Sequence, residues 1–333
     1  MARSLMLWLL ALLLPAGGVG AAPPSPSRPA PPPAPRQAPV GGKKITLAFT
    51  GDVSMTWRGL PATLKQLRWN QNPLRFFAPV LKAADLAISN CEAFFLRHDP
   101  RYADPKLNLW APEAAASVFT PAGVDLVSTA NNHAFDGRDK GVLRTLELLR
   151  ASGVKTMGTG RTEEEARRPF VWKKHGSCIA FIPATTKTNK RVQGRAKLAY
   201  YPVKKRKVSW PKLAARVRRT AKTICPFVTV YIHWGEEKLN YPPKKMKLFS
   251  RMLVDAGAQL VVGHHPHVLQ GVEFYRGGVI VYSLGNFVFS NPTIETRRTG
   301  VLWTELAAGN PSRVTRLELV PAVIHRKDYA PCQ

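Results

Sequence analysis

Apolar runs rich in β-branched residues punctuate the chain at Ile45 to Thr50, Leu86 to Ser89, Val124 to Ser128, Ile179 to Pro183, Val228 to His233, Leu260 to Gly263 and Val279 to Ser283. Each reads as a strand buried on both faces. Between them, apolar residues recur at helical spacing, as in Val142, Leu146 and Leu149 or in Leu213, Val217, Ala221 and Ile224, and each set makes one apolar stripe. Strands alternating with helices predict an α/β sandwich. The chemically interesting polar residues fall where these strands end: Asp52 after the first, Asn90 and Glu92 after the second, Asn131, Asn132 and His133 after the third. His233 closes the run from Val228, and His264, His265 and His267 follow the run from Leu260. Ligands of open α/β sheets gather beyond the carboxyl ends of strands, so five such ends predict one shared site.

The N-terminus has a different pattern. Arg3, an apolar run from Leu5 to Leu14 and small residues ending at Val19-Gly20-Ala21 read as a cleaved secretory signal over residues 1–21. The run is too short to span a bilayer. A buried helix is the alternative, but no amphipathic period is present and a proline-rich tract follows. Residues 22–42 form that tract and predict an extended spacer. Folding is expected over 43–323 as one domain, with 324–333 as a tail. No cysteine lies near Ala21 to carry a lipid anchor, so the mature chain is expected to be secreted or periplasmic. The four cysteines, Cys91, Cys178, Cys225 and Cys332, permit disulfides in that compartment with three connectivities. Cys178 and Cys225 begin apolar runs, which leaves buried free thiols equally open.

Charge adds a second theme. The formal net charge is +28, and between Ala166 and Gly235 eighteen Lys and Arg residues occur without one Asp or Glu. This stretch includes Lys204, Lys205, Arg206 and Lys207, and then Arg216, Arg218 and Arg219. Such a stretch attracts polyanions. For an exported protein the candidates are an acidic polymer, anionic lipid headgroups or lipopolysaccharide, and no nucleic-acid partner is expected. A merely solvated basic face is the alternative.

Taken singly, the strand-end residues have ordinary explanations: an Asp that caps a turn, a satisfied loop carboxylate, a packed histidine. Together they do not, because five of the eight histidines lie in these motifs beside two acids and a paired amide. Imidazole, carboxylate and carboxamide oxygen make a mixed donor set suited to Mn, Zn or Fe. Gly263-His264-His265-Pro266-His267 is the sharpest segment. Its glycine allows close backbone approach, and the i, i+2 histidines at 265 and 267 are placed to converge.

In order along the chain, Thr50-Gly51-Asp52, Ser89-Asn90-Cys91-Glu92, Ala130-Asn131-Asn132-His133, His233-Trp234-Gly235-Glu236, Gly263-His264-His265-Pro266-His267 and Tyr282-Ser283-Leu284-Gly285-Asn286-Phe287 resemble the motif series of the CapA family of capsule (poly-γ-glutamate) synthesis proteins. That resemblance implies a four-layered α/β sandwich of the calcineurin-like metallophosphoesterase type, holding one or two divalent ions. It places Asp52, Glu92, Asn132, His233, His265 and His267 at metal-ligand positions and His133 at the catalytic one. Asn131, His264, Asn286 and Glu236 fall where they would orient substrate or brace the ligands. Three departures stand out. Ser54 replaces the histidine of the phosphoesterase Asp-x-His motif, Glu92 replaces a bridging Asp, and Ala134-Phe135-Asp136-Gly137-Arg138 leaves Asp136 to cap the next helix.

Two functions follow. One is a metal-dependent hydrolase or transferase acting on an acidic polymer or a phosphoester, with His133 as general acid. The other is a non-catalytic polyanion-binding or export accessory protein, holding polymer with Lys204, Lys205, Arg206 and Lys207 beside a membrane synthase.

Overall fold

Two β-sheets lie face to face because alternate residues of each central strand point in opposite directions and both directions are apolar. A computed structural model describes residues 42–56, 72–97, 109–204, 207–289, 293–325 and 331–332. The signal at 1–21, the spacer up to residue 41, and Lys205 and Arg206 lie outside the described residues.

In the first sheet the order is Pro331–Cys332, Arg313–Ile324, Arg298–Ala307, Lys44–Val53, Leu86–Cys91, Leu126–Ser128, Lys155–Met157, with Asn286–Val288 also paired to Lys44–Val53. The second sheet runs Val272–Tyr275, Gly278–Val281, Leu260–His264, Phe227–His233, Ser177–Thr185, Phe170–Lys174. Pleating sorts the side chains. Ile45, Leu47, Phe49, Leu86 and Ile88 meet Phe181, Phe227, Tyr231, Leu260 and Val262 between the sheets. Ala48, Ala87 and Val127 face outward onto Phe77, Leu81 and Phe119. Val228, Val230, Val261 and Ile280 face the other way, onto the helices Trp210–Thr223 and Lys244–Asp255 through Leu213, Val217, Phe249 and Leu253. The result is the expected four layers, helix, sheet, sheet, helix.

The central strands are parallel within each sheet: Lys44–Val53 with Leu86–Cys91 and Leu126–Ser128, and Phe227–His233 with Ser177–Thr185 and Leu260–His264. Their carboxyl ends therefore lie along a common edge in each sheet. The long pair Arg298–Ala307 and Arg313–Ile324 is absent from the periodic reading. Charges such as Glu305, Arg316 and Glu318 interrupt it, and most of the second strand is solvent-facing. Ile224, read as the end of a helical stripe, lies just past the helix and is exposed.

Between the open alternatives for the cysteines, the structure has Cys178 bonded to Cys225, with Cys91 and Cys332 free. Among the described residues no helix is long and apolar enough to cross a membrane. The bridge closes a loop with a sequence separation of 47. Cys178→Ala is expected to lower stability by about 3–4 kcal/mol in urea unfolding, as loss of that loop constraint from the unfolded chain implies. Non-reducing peptide mapping should link Cys178 to Cys225. Cys91, whose thiol burial pushes up to about 12, should alkylate only after unfolding.

Candidate metal centre

Asp52 sits at the end of the Lys44–Val53 strand because Gly51 lets the backbone pass against the neighbouring crossing. A Cβ at Gly51 would stand 2.3 Å from the Gly285 carbonyl oxygen. This approach lets Asp52 N–H donate to Gly285 O (2.8 Å) and sets Asp52 in register with Asn286. The Asp52 carboxylate then reaches across to the second sheet. Its Oδ1 accepts from Asn90 Nδ2 (2.7 Å) and pairs with His264 Nδ1 (2.9 Å), while Oδ2 accepts the His265 backbone N–H (3.1 Å).

The segment from Gly263 to His267 departs from the simple strand reading. The strand continues through His264, and His265 and His267 lie on a turn with φ of 97° and 59°. For non-glycine residues this left-handed backbone costs about 1–3 kcal/mol each. Their imidazoles therefore converge by turn geometry and not by alternation along a pleat. Bonds on two sides hold the turn: His265 N–H to Asp52 of the first sheet, and, from the chain after the neighbouring strand Phe227–His233, Trp234 N–H to His264 O (3.0 Å) and Lys238 N–H to Pro266 O (2.8 Å).

Glu92 occupies the middle of the cluster. It is fully buried, and neither carboxylate oxygen has a hydrogen-bond partner among the described residues. Around its Oε1 stand His233 Nε2 at 3.6 Å and the Nε2 atoms of His133 and His267 at 3.9 Å. These are too long for hydrogen bonds. They match the roughly 3–4 Å between donors that each lie about 2.0–2.2 Å from one ion. Asn132 Oδ1 lies 2.7 Å from His233 Nε2, which in turn lies 3.0 Å from His265 Nδ1.

Candidate ligand atoms form overlapping groups, Glu92 with His233 and His265, and Asp52 with Glu92 and His267, each within 4.8 Å. Glu92 belongs to both, which suits one or two ions. Burial, with the neighbouring imidazole His265, holds His233 well below the usual histidine range. Burial, with His267, pushes His265 down to about 3. Both rings are thus neutral, the form that binds metal. Burial and the nearby Asp52 charge push Glu92 well above the usual carboxylate range. For Asp52, burial acts upward but is outweighed by the His264 hydrogen bond and the imidazole charges, which hold it below that range.

The remaining residues brace this floor or line its mouth. Asn131 Nδ2 donates to Cys91 O (2.7 Å), and its Oδ1 accepts the His133 N–H (3.1 Å). Asn286 Oδ1 meets His267 Nδ1 at 2.8 Å, and Asn286 Nδ2 donates to Thr296 O. Glu236 stands apart, at the rim, in an ion pair with Lys187 (3.1 Å), while its neighbour Glu237 groups with His265 and His267. Ser54 Oγ is turned to Thr56 Oγ1 (2.8 Å).

The expectation that Asp136 caps the helix Arg138–Ala151 is corrected: the N-cap residue of that helix is Gly137, and no side chain caps it. Asp136 Oδ2 instead accepts from His133 Nδ1 (2.5 Å) and from the Leu109 N–H. The spacing of His133 and Asp136, three residues apart, was the available signal. Asn189, which donates toward the His133 ring at 3.3 Å, carried none. Of the basic run, Lys204 and Lys207 lie on short paired strands.

Comparison with known proteins gives one consistent picture. A family model described as bacterial capsule synthesis protein PGA_cap matches residues 46–291. The chain is 28% identical over 289 residues to a Bacillus subtilis protein named PGA biosynthesis protein CapA, covering 86% of this chain and 73% of that one. It is also 28% identical over 265 residues to the capsule biosynthesis protein CapA of Bacillus anthracis, of which it spans 63%. Among solved structures, a Staphylococcus aureus protein assigned as a 5′-nucleotidase and crystallised with α-ketoglutarate superposes with a TM-score of 0.55 at 14% identity. That match covers 84% of this chain and 54% of the other, and it establishes the metallophosphoesterase-type fold.

The cluster's protonation predicts how metal-free protein responds to pH. In the unfolded chain His233 and His265 take up protons below about pH 6.5, which the folded state refuses. Glu92 opposes them with one proton, which the folded state keeps above pH 4.5 and the unfolded chain loses. Two against one leaves stability falling as pH falls from 6.5 to 4.5, by about 1.4 kcal/mol per pH unit. Urea unfolding of chelator-treated protein across that window measures the slope.

Proposed function

The chain belongs to the bacterial capsule synthesis protein family, and on that premise we propose that it is an exported, metal-dependent hydrolase or transferase acting on an acidic polymer or a phosphoester. The observation that carries the reading is the Glu92 carboxylate, buried without a hydrogen bond and ringed by imidazole nitrogens. A carboxylate so placed costs several kcal/mol unless a cation compensates it. Asp52, Glu92, Asn132, His233, His265 and His267 are the proposed ligands of Mn, Zn or Fe. A divalent ion there supplies positive charge that lowers the pKa of water and offsets negative charge at the attacked centre.

The chain's own residues do the rest. His133 is the proposed general acid. Asp136 accepts from its Nδ1–H and so fixes the tautomer. That leaves Nε2 at the mouth, where a ring carrying a second proton can pass it to a leaving-group oxygen. Asn286 holds the His267 ring, and Asn131 fixes the backbone of His133. The acidic polymer, and a membrane synthase that makes it, are the proposed partners, in keeping with the names of the Bacillus relatives. The non-catalytic reading keeps one supporting observation: Ser54, bonded to Thr56, contributes no imidazole where the phosphoesterases have one.

The test begins with elemental analysis of purified protein. His265→Ala should lose metal. His133→Ala should keep metal and lose turnover of phosphoester or γ-glutamyl polymer by roughly 10²–10⁴-fold. Wild-type protein that holds metal yet turns over neither substrate removes the enzyme reading and leaves polymer handling. The bridge between Cys178 and Cys225 suits an oxidising compartment. Expression in a bacterial host should accordingly give a periplasmic species whose N-terminal sequence starts after Ala21, and an intact Met1 would count against export.

A further inference from the structure

Lys212, Arg216 and Arg219 follow one another along the helix Trp210–Thr223, next to the stripe of Leu213, Val217 and Thr220 that faces the core. A spacing of three and four residues puts the three cations on one face. None of them is ion-paired among the described residues. Two grooves, of about 750 and 610 Å³, run along this face and share Lys212 and Arg216 as walls. The nearby acids are already engaged: Glu163 pairs with Arg167 (2.9 Å) and Glu164 with Arg168 (3.3 Å).

The floor of the larger groove holds unsatisfied donors. Tyr201 is 3% exposed and its hydroxyl makes no hydrogen bond. The guanidinium of Arg216 donates to Arg167 O (3.1 Å) and faces this hydroxyl, while Arg167, which also donates to Tyr200 O (3.3 Å), lies 5.2 Å over the Tyr201 ring with its Nε unpartnered. A buried hydroxyl left unpaired costs about 1–3 kcal/mol. Guanidinium and ammonium groups only donate, as the phenol can, so the ligand that satisfies this floor is an acceptor and an anion.

The grooves also lead somewhere. Tyr200 lines the larger groove and a third of about 370 Å³, whose other walls include Lys187, Glu236 and Trp234. Trp234 adjoins His233, and Lys187 pairs with Glu236 at the rim of the cluster. In that third groove the buried Trp210 indole N–H is likewise without a partner. Three grooves that share walls, the first two at Lys212 and Arg216 and the first and third at Tyr200, suit a chain of anions better than a single one.

We propose that this surface is a polycarboxylate track, in which Tyr201, Lys212 and Arg216 hold carboxylates of an acidic polymer whose chain runs past Tyr200 and Trp210 toward the metal cluster. The proposal rests on the acidic-polymer reading above and assigns the polymer to this helix face in place of the Lys204 to Lys207 run. Planar guanidinium groups match carboxylates in two parallel hydrogen bonds.

The test uses the full metal-loaded chain and fluorescein-labelled poly-γ-glutamate, read by anisotropy at low salt. Lys212→Gln with Arg216→Gln should weaken binding about 10–100-fold, as expected for losing charge-assisted hydrogen bonds. Tyr201→Phe should weaken it several-fold while leaving metal content unchanged and Tm equal or higher, because it deletes a buried unpaired hydroxyl. A merely structural Tyr201 would lower Tm and spare binding. Unchanged affinity in the double variant overturns the track. Loss confined to a variant with Gln at Lys204, Lys205, Arg206 and Lys207 also overturns the track, but leaves the acidic-polymer reading standing. Wild-type protein that binds no poly-γ-glutamate removes both, and equal binding of polyphosphate of matched length overturns the carboxylate assignment.

Discussion

One carboxylate joins the two sheets at their functional edge. Asp52 belongs to the first sheet, and the groups it holds, the His264 ring and the His265 backbone, belong to the second. Around that link every other feature of the site finds its place. The left-handed turn through His265 and His267 persists only because its backbone is bonded on both sides, and Asn286 can grip His267 only because the same crossing brings it into register with Asp52. The cluster is therefore a property of two docked sheets and not of any motif alone.

The opposition of charges in the cluster follows from the same geometry. Asp52 is surrounded by donors and stays ionised, whereas Glu92, one strand away, faces imidazole nitrogens beyond hydrogen-bond reach and has nothing to stabilise its charge. Two carboxylates with opposite environments, beside two imidazoles kept neutral by burial, form a site that is uncomfortable when empty of cations. Outside it the problem is reversed, with an excess of cations along one helix and unpaired donors beside it.

Much of this was legible in the sequence, because burial on both faces of a strand leaves continuous apolar runs. All seven such runs became strands, and the polar residues at five of their ends met. What could not be read had physical causes. The pair Arg298–Ala307 and Arg313–Ile324 is largely solvent-facing on its outer strand and so shows no apolar run. The dyad of His133 and Asp136 was masked because an Asp before a helix reads equally well as a cap. The pairing of Cys178 with Cys225 depends on the docking of a helix end against a strand start, which spacing does not encode. The basic stretch was legible as charge but not as a surface. Its helical portion lies beside grooves, while Lys204 and Lys207 fall on two short paired strands.

The disulfide joins the residue two past the end of the basic helix to the second residue of the strand Ser177–Thr185. A helix held by apolar packing alone can slide along its sheet, since dispersion contacts resist separation more than shear. With its far end tied covalently to a strand inside the sheet, this helix behaves as a beam clamped at one end. A load drawn along its outer face passes into the hydrogen-bonded ladder of the sheet, where many bonds share it, and the core beneath is spared. In mechanical terms the fold is reinforced along the axis of that helix.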